Sequence, residues 1–267
     1  MQRLYASKAG SLSVSRLVGG FELTTEDVLA DLGYPQSHSF RLLGFYTAEG
    51  VEYALSRYGV LSHLHRLGYR SFRVSLDRHE PGDRLRLFAQ FEGTELLLIE
   101  CVVERLSVQD KLALYVHWLT LRDARGRFSE DRPELPGQDR PGLGLAPEAG
   151  QLLERTAARL GMVGVAFRPA WLHLAHAAFH AGLRFLDPAR QGRFEALLRD
   201  LGEIPLREAS LAISEGRVSL NGKRYEWEAD LMVSWSDTDP NAEAGILHER
   251  ERVRFRVAAT ETTPPGR

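Results

Sequence analysis

Apolar residues recur at helical spacing in the first well-patterned stretch of the chain. Over residues 47–69, Val51, Leu55 and Tyr58 fall on one helical face, with Gly59 in the middle of the run. This spacing predicts a helix across the whole stretch.

From residue 71 the apolar period shortens to two, which is typical of strands. The alternation predicts strands at 71–77, 84–91, 94–106 and 112–123. The connections between them are short, and the first contains Pro81 and Gly82, so we expect an antiparallel meander.

The rest of the chain mixes both periods. Residues 124–141 are rich in proline and glycine and predict an irregular excursion. Helices are expected at 147–161, 171–186, 187–202 and 206–216. Strands are expected at 163–169 and 246–259, and a hairpin at 217–227. Asn221–Gly222 supplies the turn of that hairpin, because both residues tolerate positive φ.

These elements predict an α+β fold with a mixed, mainly antiparallel central sheet flanked by helices and a C-terminal hairpin extension. We expect one domain over residues 1–260. Its parts are an N-terminal arm and short helix (1–46), a core (47–188), and C-terminal helices with the hairpin (189–260). Residues 261–267 are expected to form a disordered tail.

Composition narrows the classes of function. The net charge of −2 and the absence of a basic stripe argue against a nucleic-acid partner. No apolar run approaches the roughly 20 residues of a membrane-spanning helix, and the N-terminus lacks the apolar core of a signal peptide. The single cysteine, Cys101, lies in an apolar run and predicts a buried thiol. We therefore expect a soluble cytoplasmic protein without a membrane partner.

A glycine-containing turn, RPGLGL at residues 140–145, stands between the fourth strand and a helix that starts near Pro147. Backbone N–H groups in such a turn, together with a helix N-terminus, can bind phosphate. Two helices, antiparallel strands, this loop, a helix, a strand and a helix follow in an order that resembles the GNAT N-acetyltransferase superfamily. The segment FHAGLRFLDP (179–188) also looks like that family's end of the next helix, and the resemblance covers residues 47–188.

The resemblance implies an acyl-CoA-dependent N-acyltransferase acting on a small-molecule or peptide amine, with acetyl-CoA or another acyl-CoA as cosubstrate. Arg140, Gly142, Leu143 and Gly144 would hold the pyrophosphate. His117 on the fourth strand or Glu100 on the third would take the proton from the amine.

The loop departs from the family pattern. Asp139 stands where the family has a cation or an amide, and Phe179 stands near the position of a tyrosine often used as general acid. An alternative is therefore a non-catalytic, GNAT-like binding or interaction module, in which the C-terminal extension could form a homodimer surface.

A third hypothesis is a metal-dependent hydrolase. His173, His176 and His180 recur at spacings of three and four on a predicted helix, so they share one face and could bind Zn²⁺. Buried or half-exposed histidines among alanines are the simpler interpretation, and no metal is expected.

Overall fold

The computed structural model describes residues 40–130, 133–235 and 240–258. The predicted helix near residues 23–34, the rest of the arm up to residue 39 and the predicted tail lie outside this range. The chain divides into two compact units. The first contains the described residues up to Gly126 together with Arg140–Val165, and the second contains Arg127–Asp139 and the described residues from Ala166 onward. The single domain predicted over residues 1–260 stays a prediction.

Two short helices open the first unit where one was predicted. Helix α1 spans Ala48–Arg57 and begins at Thr47, whose hydroxyl accepts a hydrogen bond from the Gly50 N–H at 3.1 Å. Helix α2 spans Val60–Arg66. Gly59 separates the helices because its φ of +81° is left-handed, a conformation that cannot continue a right-handed helix.

Four antiparallel strands follow as an uninterrupted meander. They are β1 Arg70–His79, β2 Gly82–Phe91, β3 Thr94–Val108 and β4 Lys111–Leu121. Two-residue turns with positive φ at both positions join β2 to β3 at Glu92–Gly93 and β3 to β4 at Gln109–Asp110. On β3, Cys101 pairs with Leu85 of β2 and Leu119 of β4, which fixes the register of the sheet.

Helix α3, Ala146–Arg159, lies in the connection from β4 to the next strand, β5 Val165–Phe167. The Val163 N–H donates to Leu112 O at 2.9 Å, and the Leu114 N–H donates to Gly164 O at 2.9 Å. Residue numbers rise together on both segments, so they run parallel. Helix α3 therefore lies in a crossover connection between parallel neighbours, as parallel strands require.

The second unit begins within β5 and contains the remaining elements. Its helices are α4 Leu172–His180, α5 Pro188–Asp200, α6 Leu206–Ser214 and α7 Pro240–Arg252. Its strands are β6 Arg184–Phe185, β7 Val218–Leu220, β8 Lys223–Arg224, β9 Met232–Val233 and β10 Phe255–Val257. Strand β9 pairs antiparallel with β6 and with Ala166–Phe167, while β7 pairs antiparallel with β8 and β10. Asn221 (φ +49°) and Gly222 (φ +81°) form the predicted hairpin turn.

The strand predicted over residues 246–259 is wrong for most of its length. Helix α7 occupies this stretch up to Arg252, and only β10 is extended. The alternation of arginine with apolar residues is confined to the last few positions, whereas helix α7 packs against α5. Gly192 permits this packing, because a Cβ there would stand 2.4 Å from Ile246 O.

The described chain is α+β, with a mixed, mainly antiparallel sheet flanked by helices, as the sequence predicted. Within the described ranges, the structure contains no helix with both the length and the apolar character needed to cross a membrane.

Candidate functional site

An apolar cavity lies in the first unit, between its sheet and its helices. Its volume is about 140 Å³. Helices α1, α2 and α3 and one face of β2, β3 and β4 form its walls. The lining residues are Leu42, Leu43, Tyr46, Val51, Ala54, Leu55, Val60, Leu85, Ile99, Cys101, Val103, Leu114, Leu119, Leu121, Leu145, Ala149, Leu152, Leu153 and Thr156. Among these described residues, Tyr46 and Thr156 alone carry hydroxyl groups.

The cavity is comparable in size with a known ligand site in a protein interior, where side chains otherwise pack about as densely as in organic crystals. An engineered apolar cavity of comparable size, about 150 Å³, stays dry and binds benzene or xenon. The cavity is therefore large enough for a small apolar ligand.

Helix α3 shows how the cavity arises from the sequence. It is the most regularly amphipathic helix in the described chain. Even so, Ala157 is the only one of its described residues that is fully buried. Leu152 and Leu153 line the cavity and remain half-buried, so α3 covers the sheet without filling the space beneath it. Leu119 on β4 also lines the cavity and keeps 40% of its surface exposed, so the cavity reaches solvent beside it.

Cys101 points into the cavity from β3 as a free, buried thiol, as the sequence predicted. Burial, with a smaller contribution from the Glu100 carboxylate, raises the pKa of this thiol to about 12. The thiol is therefore protonated at neutral pH and is not a nucleophile in this state.

Tyr46 supplies a hydrogen-bond donor at the cavity wall. Desolvation raises the pKa of its phenol, and this effect exceeds the opposing contributions of a hydrogen bond from Thr156 and the charges of Arg159 and Arg105. The phenol is therefore neutral under ordinary conditions and can donate to a ligand.

The glycine-containing loop is bonded to the end of β4. The Leu143 N–H donates to Leu121 O at 3.1 Å, and the Asp123 N–H donates to Pro141 O at 2.8 Å. Gly142 pairs with Arg122 as an antiparallel bridge, and the His63 imidazole donates through Nε2 to Leu143 O at 2.8 Å. The hydrogen bond to Leu121 O therefore occupies the Leu143 N–H that the resemblance assigned to pyrophosphate.

The remaining residues of this loop lie as follows. Gly144 has a φ of +70°, a left-handed conformation that glycine adopts without strain. The Leu143 side chain is buried and Arg140 is exposed. Asp139 belongs to the second unit and is exposed.

The two candidate bases do not line the cavity. Alternation along β3 places Glu100 and Glu104 on the sheet face opposite Cys101 and Val103. His117 Nε2 lies 3.0 Å from Glu104 Oε2, so His117 shares that opposite face. Glu100 instead lies 3.8 Å from Arg84 as an ion pair. The structure therefore brings His117 to Glu104, a partner that the sequence analysis missed.

The missed pair has a structural explanation. The register between β3 and β4 shifts between Val102 and Val103, so His117 faces no partner directly across the ladder. Such a bulge re-aims a side chain by one position. The sequence carries no clear signal for it, since residues 112–116 before His117 form a continuous apolar run in which no alternation can be seen to shift.

The three histidines of α4 do not form a metal site. His173 is buried, and its Nδ1 lies 3.1 Å from Ser210 Oγ. The rings of His176 and His180 stack at a centroid distance of 4.2 Å, and His180 Nδ1 donates to His176 O at 2.9 Å. Across the described chain, no group of three His, Cys, Asp or Glu side chains is arranged to bind a metal ion.

Comparison with known proteins adds no family and no relative to the evidence from the geometry. No family model matches the chain, and no curated protein or solved structure is significantly similar to it.

Proposed function

We propose that this protein is a binding module that takes a small apolar ligand into the cavity of its first unit. The observation that carries the proposal is the cavity itself, about 140 Å³ and lined almost entirely by aliphatic side chains. Ligand pockets in proteins are commonly apolar with a few placed polar groups, which is the pattern here. The bonded Leu143 N–H and the position of His117 away from the cavity favour binding over acyl transfer.

Filling the cavity tests this proposal. Ala149 lines the cavity on α3, whereas Ala158 is exposed on the same helix. Ala149→Phe should weaken the binding of octan-1-ol, measured by calorimetry, at least tenfold. Ala158→Phe, the same change on the solvent side, should leave the Kd unchanged. Failure of octan-1-ol to bind the unaltered protein, or equal binding by both variants, would contradict the proposal.

An acyl-CoA-dependent N-acyltransferase is the second candidate. Strand β4 pairs in parallel with residues 163–164, and the chain between them contains a loop and α3. This pairing supports the candidate, because the GNAT resemblance implies a connection of this kind. The cavity would then accept the acyl chain. Calorimetry with acetyl-CoA and octanoyl-CoA checks this candidate, and absence of binding at millimolar ligand would remove it.

The expected cellular setting also belongs to the proposal. A cytoplasmic monomer or homodimer would be consistent with a small-molecule binding module. Cell fractionation tests the location, and light scattering tests whether the C-terminal extension forms a dimer.

A further inference from the structure

The cavity has one polar end, and three rows of side chains lead to it. On β3, the face that carries Ile99, Cys101 and Val103 continues to Arg105. On β2, the facing row runs from Leu87 and Leu85 to Asp83. Each row is therefore apolar along the cavity and ends in a charged residue.

Helix α3 repeats the pattern along its cavity face. Ala149 and Leu153 are followed by Thr156 and then by Arg159, at spacings of three and four that keep these residues on one side of the helix. The hydroxyl and the guanidinium lie at the C-terminal end of the helix.

Backbone hydrogen bonds place the end of α3 beside the end of the β3 row. Before α3, the Leu143 N–H bonds to Leu121 O, and Leu121 pairs with Ile99. After α3, the Val163 N–H bonds to Leu112 O, near the position where Leu114 pairs with Arg105. Helix α3 therefore runs opposite to β4, and Thr156 and Arg159 lie at the same end as Arg105.

The segment before α1 completes this end. Arg105 donates to Leu43 O at 2.7 Å, and Leu43 and Tyr46 both line the cavity. The Thr156 hydroxyl and the charges of Arg159 and Arg105 lie near enough to Tyr46 to lower the pKa of its phenol, against the larger effect of burial. The Asp83 carboxylate accepts bonds from Arg78 Nη1 and from the Leu43 N–H, both at 2.6 Å, so a guanidinium already compensates its charge. Arg105 and Arg159 add two guanidinium groups at this end.

We propose that the ligand is a medium-chain carboxylic acid, whose chain fills the cavity and whose carboxylate lies at Tyr46 and Thr156 beside Arg105 and Arg159. This inference rests on the proposed function and assigns its ligand class. The Tyr46 hydroxyl and two guanidinium groups can donate to the two oxygens of a carboxylate, and charge-assisted hydrogen bonds to such a group are strong. An amine would meet the two guanidinium groups at the same place.

Four ligands with the same alkyl chain separate the head group from the chain. At neutral pH we expect octanoate to bind at least tenfold more tightly than octan-1-ol, and octylamine to bind more weakly than octan-1-ol. Octyl phosphate should bind no more tightly than octanoate. If octan-1-ol binds and octanoate gains nothing over it, the carboxylate assignment fails while the binding function stands. If none of the four binds, both fail.

Charge removal at the polar end tests the same point. The double variant Arg105→Gln/Arg159→Gln should lose the advantage of octanoate and keep the affinity for octan-1-ol, which also shows that the variant is folded. Arg155→Gln, an exposed change on the same helix, should keep the full advantage. An unchanged octanoate preference in the double variant, or tighter binding of octylamine or octyl phosphate than of octanoate, would overturn the assignment.

Discussion

In the second unit aromatic rings fill the interior, whereas in the first unit aliphatic side chains surround an unfilled cavity. Phe194 lies 5.5 Å from Phe179 and 5.3 Å from Phe185 between ring centroids, and Trp227 packs against the same group. The first unit offers no such cluster at its cavity, whose described lining contains one aromatic ring, Tyr46.

The second unit even encloses a charged side chain. Arg190 is 2% exposed, donates to the Tyr225 hydroxyl at 3.2 Å, and lies 4.9 Å from the Trp227 ring centroid. Cation–π contact and hydrogen bonds offset part of its desolvation. The same chain can therefore pack tightly, so the cavity is a local property of the first unit. We interpret it as a site rather than as poor packing.

The largest expected effect would break the aromatic cluster. Phe194→Ala should lower the free energy of unfolding by about 4 kcal/mol, because it removes a ring that is 2% exposed and leaves a new void. Leu152→Ala at the cavity should cost only about 1 kcal/mol, because that side chain is half-buried and already borders empty space. Urea denaturation measures both. Equal losses would mean that the two interiors do not differ in packing.

A pH effect follows from the buried histidine of the second unit. Burial lowers the pKa of His173 to about 4 from its usual 6.5. Between pH 6.5 and 4 the unfolded chain therefore binds a proton that the folded chain does not. Above pH 6.5 the effect of His173 on the free energy of unfolding does not change with pH. As the pH drops to 4, the free energy of unfolding falls by roughly 3 kcal/mol.

Two substitutions on α4 isolate this contribution. His173→Asn should flatten the loss of stability across that pH range, and His180→Asn, at an exposed position, should leave it in place. Thermal unfolding at several pH values provides the measurement. The same slope in both variants would show that His173 is not the responsible group.

Paired glycines probe packing with a smaller change. Gly192→Ala on α5 should destabilise the second unit by about 2 kcal/mol, because the new Cβ would meet Ile246 O at 2.4 Å. Gly150→Ala on α3 should stabilise the first unit by about 0.5–1 kcal/mol, because its Cβ would meet nothing within 4 Å and alanine favours the helix. Chemical denaturation gives both signs, and a stabilising Gly192→Ala would contradict the close helix contact.

Much of the fold could be predicted because the responsible signals are local. Alternating side chains defined β1 to β4, and Asn221–Gly222 defined a turn that the structure confirms. Gly59 lay inside a helical pattern, and only its left-handed φ showed that the helix divides there. Helix α7 was missed because its packing on α5 depends on Gly192, about 50 residues away in the chain.

The site was harder to predict because it depends on spaces and registers. Leu152 and Leu153 look like ordinary core residues, and nothing in their spacing tells that α3 stands away from the sheet. The glycines at 142 and 144 suggested free N–H groups, but Gly142 pairs with Arg122 in an antiparallel bridge next to the end of β4. Cys101 was predicted correctly as a buried thiol, since an apolar run decides burial locally.

Methyl NMR during a titration with octan-1-ol tests the central claim most directly. We expect saturable shifts in the methyl signals of Val103, Leu114 and Leu153, which line the cavity, and no shifts in those of Leu197 and Val218 in the second unit. Saturation at a single Kd with this distribution would establish the cavity as the binding site. Unchanged cavity methyls at saturating alcohol, or shifts centred on Leu197 and Val218, would contradict the account.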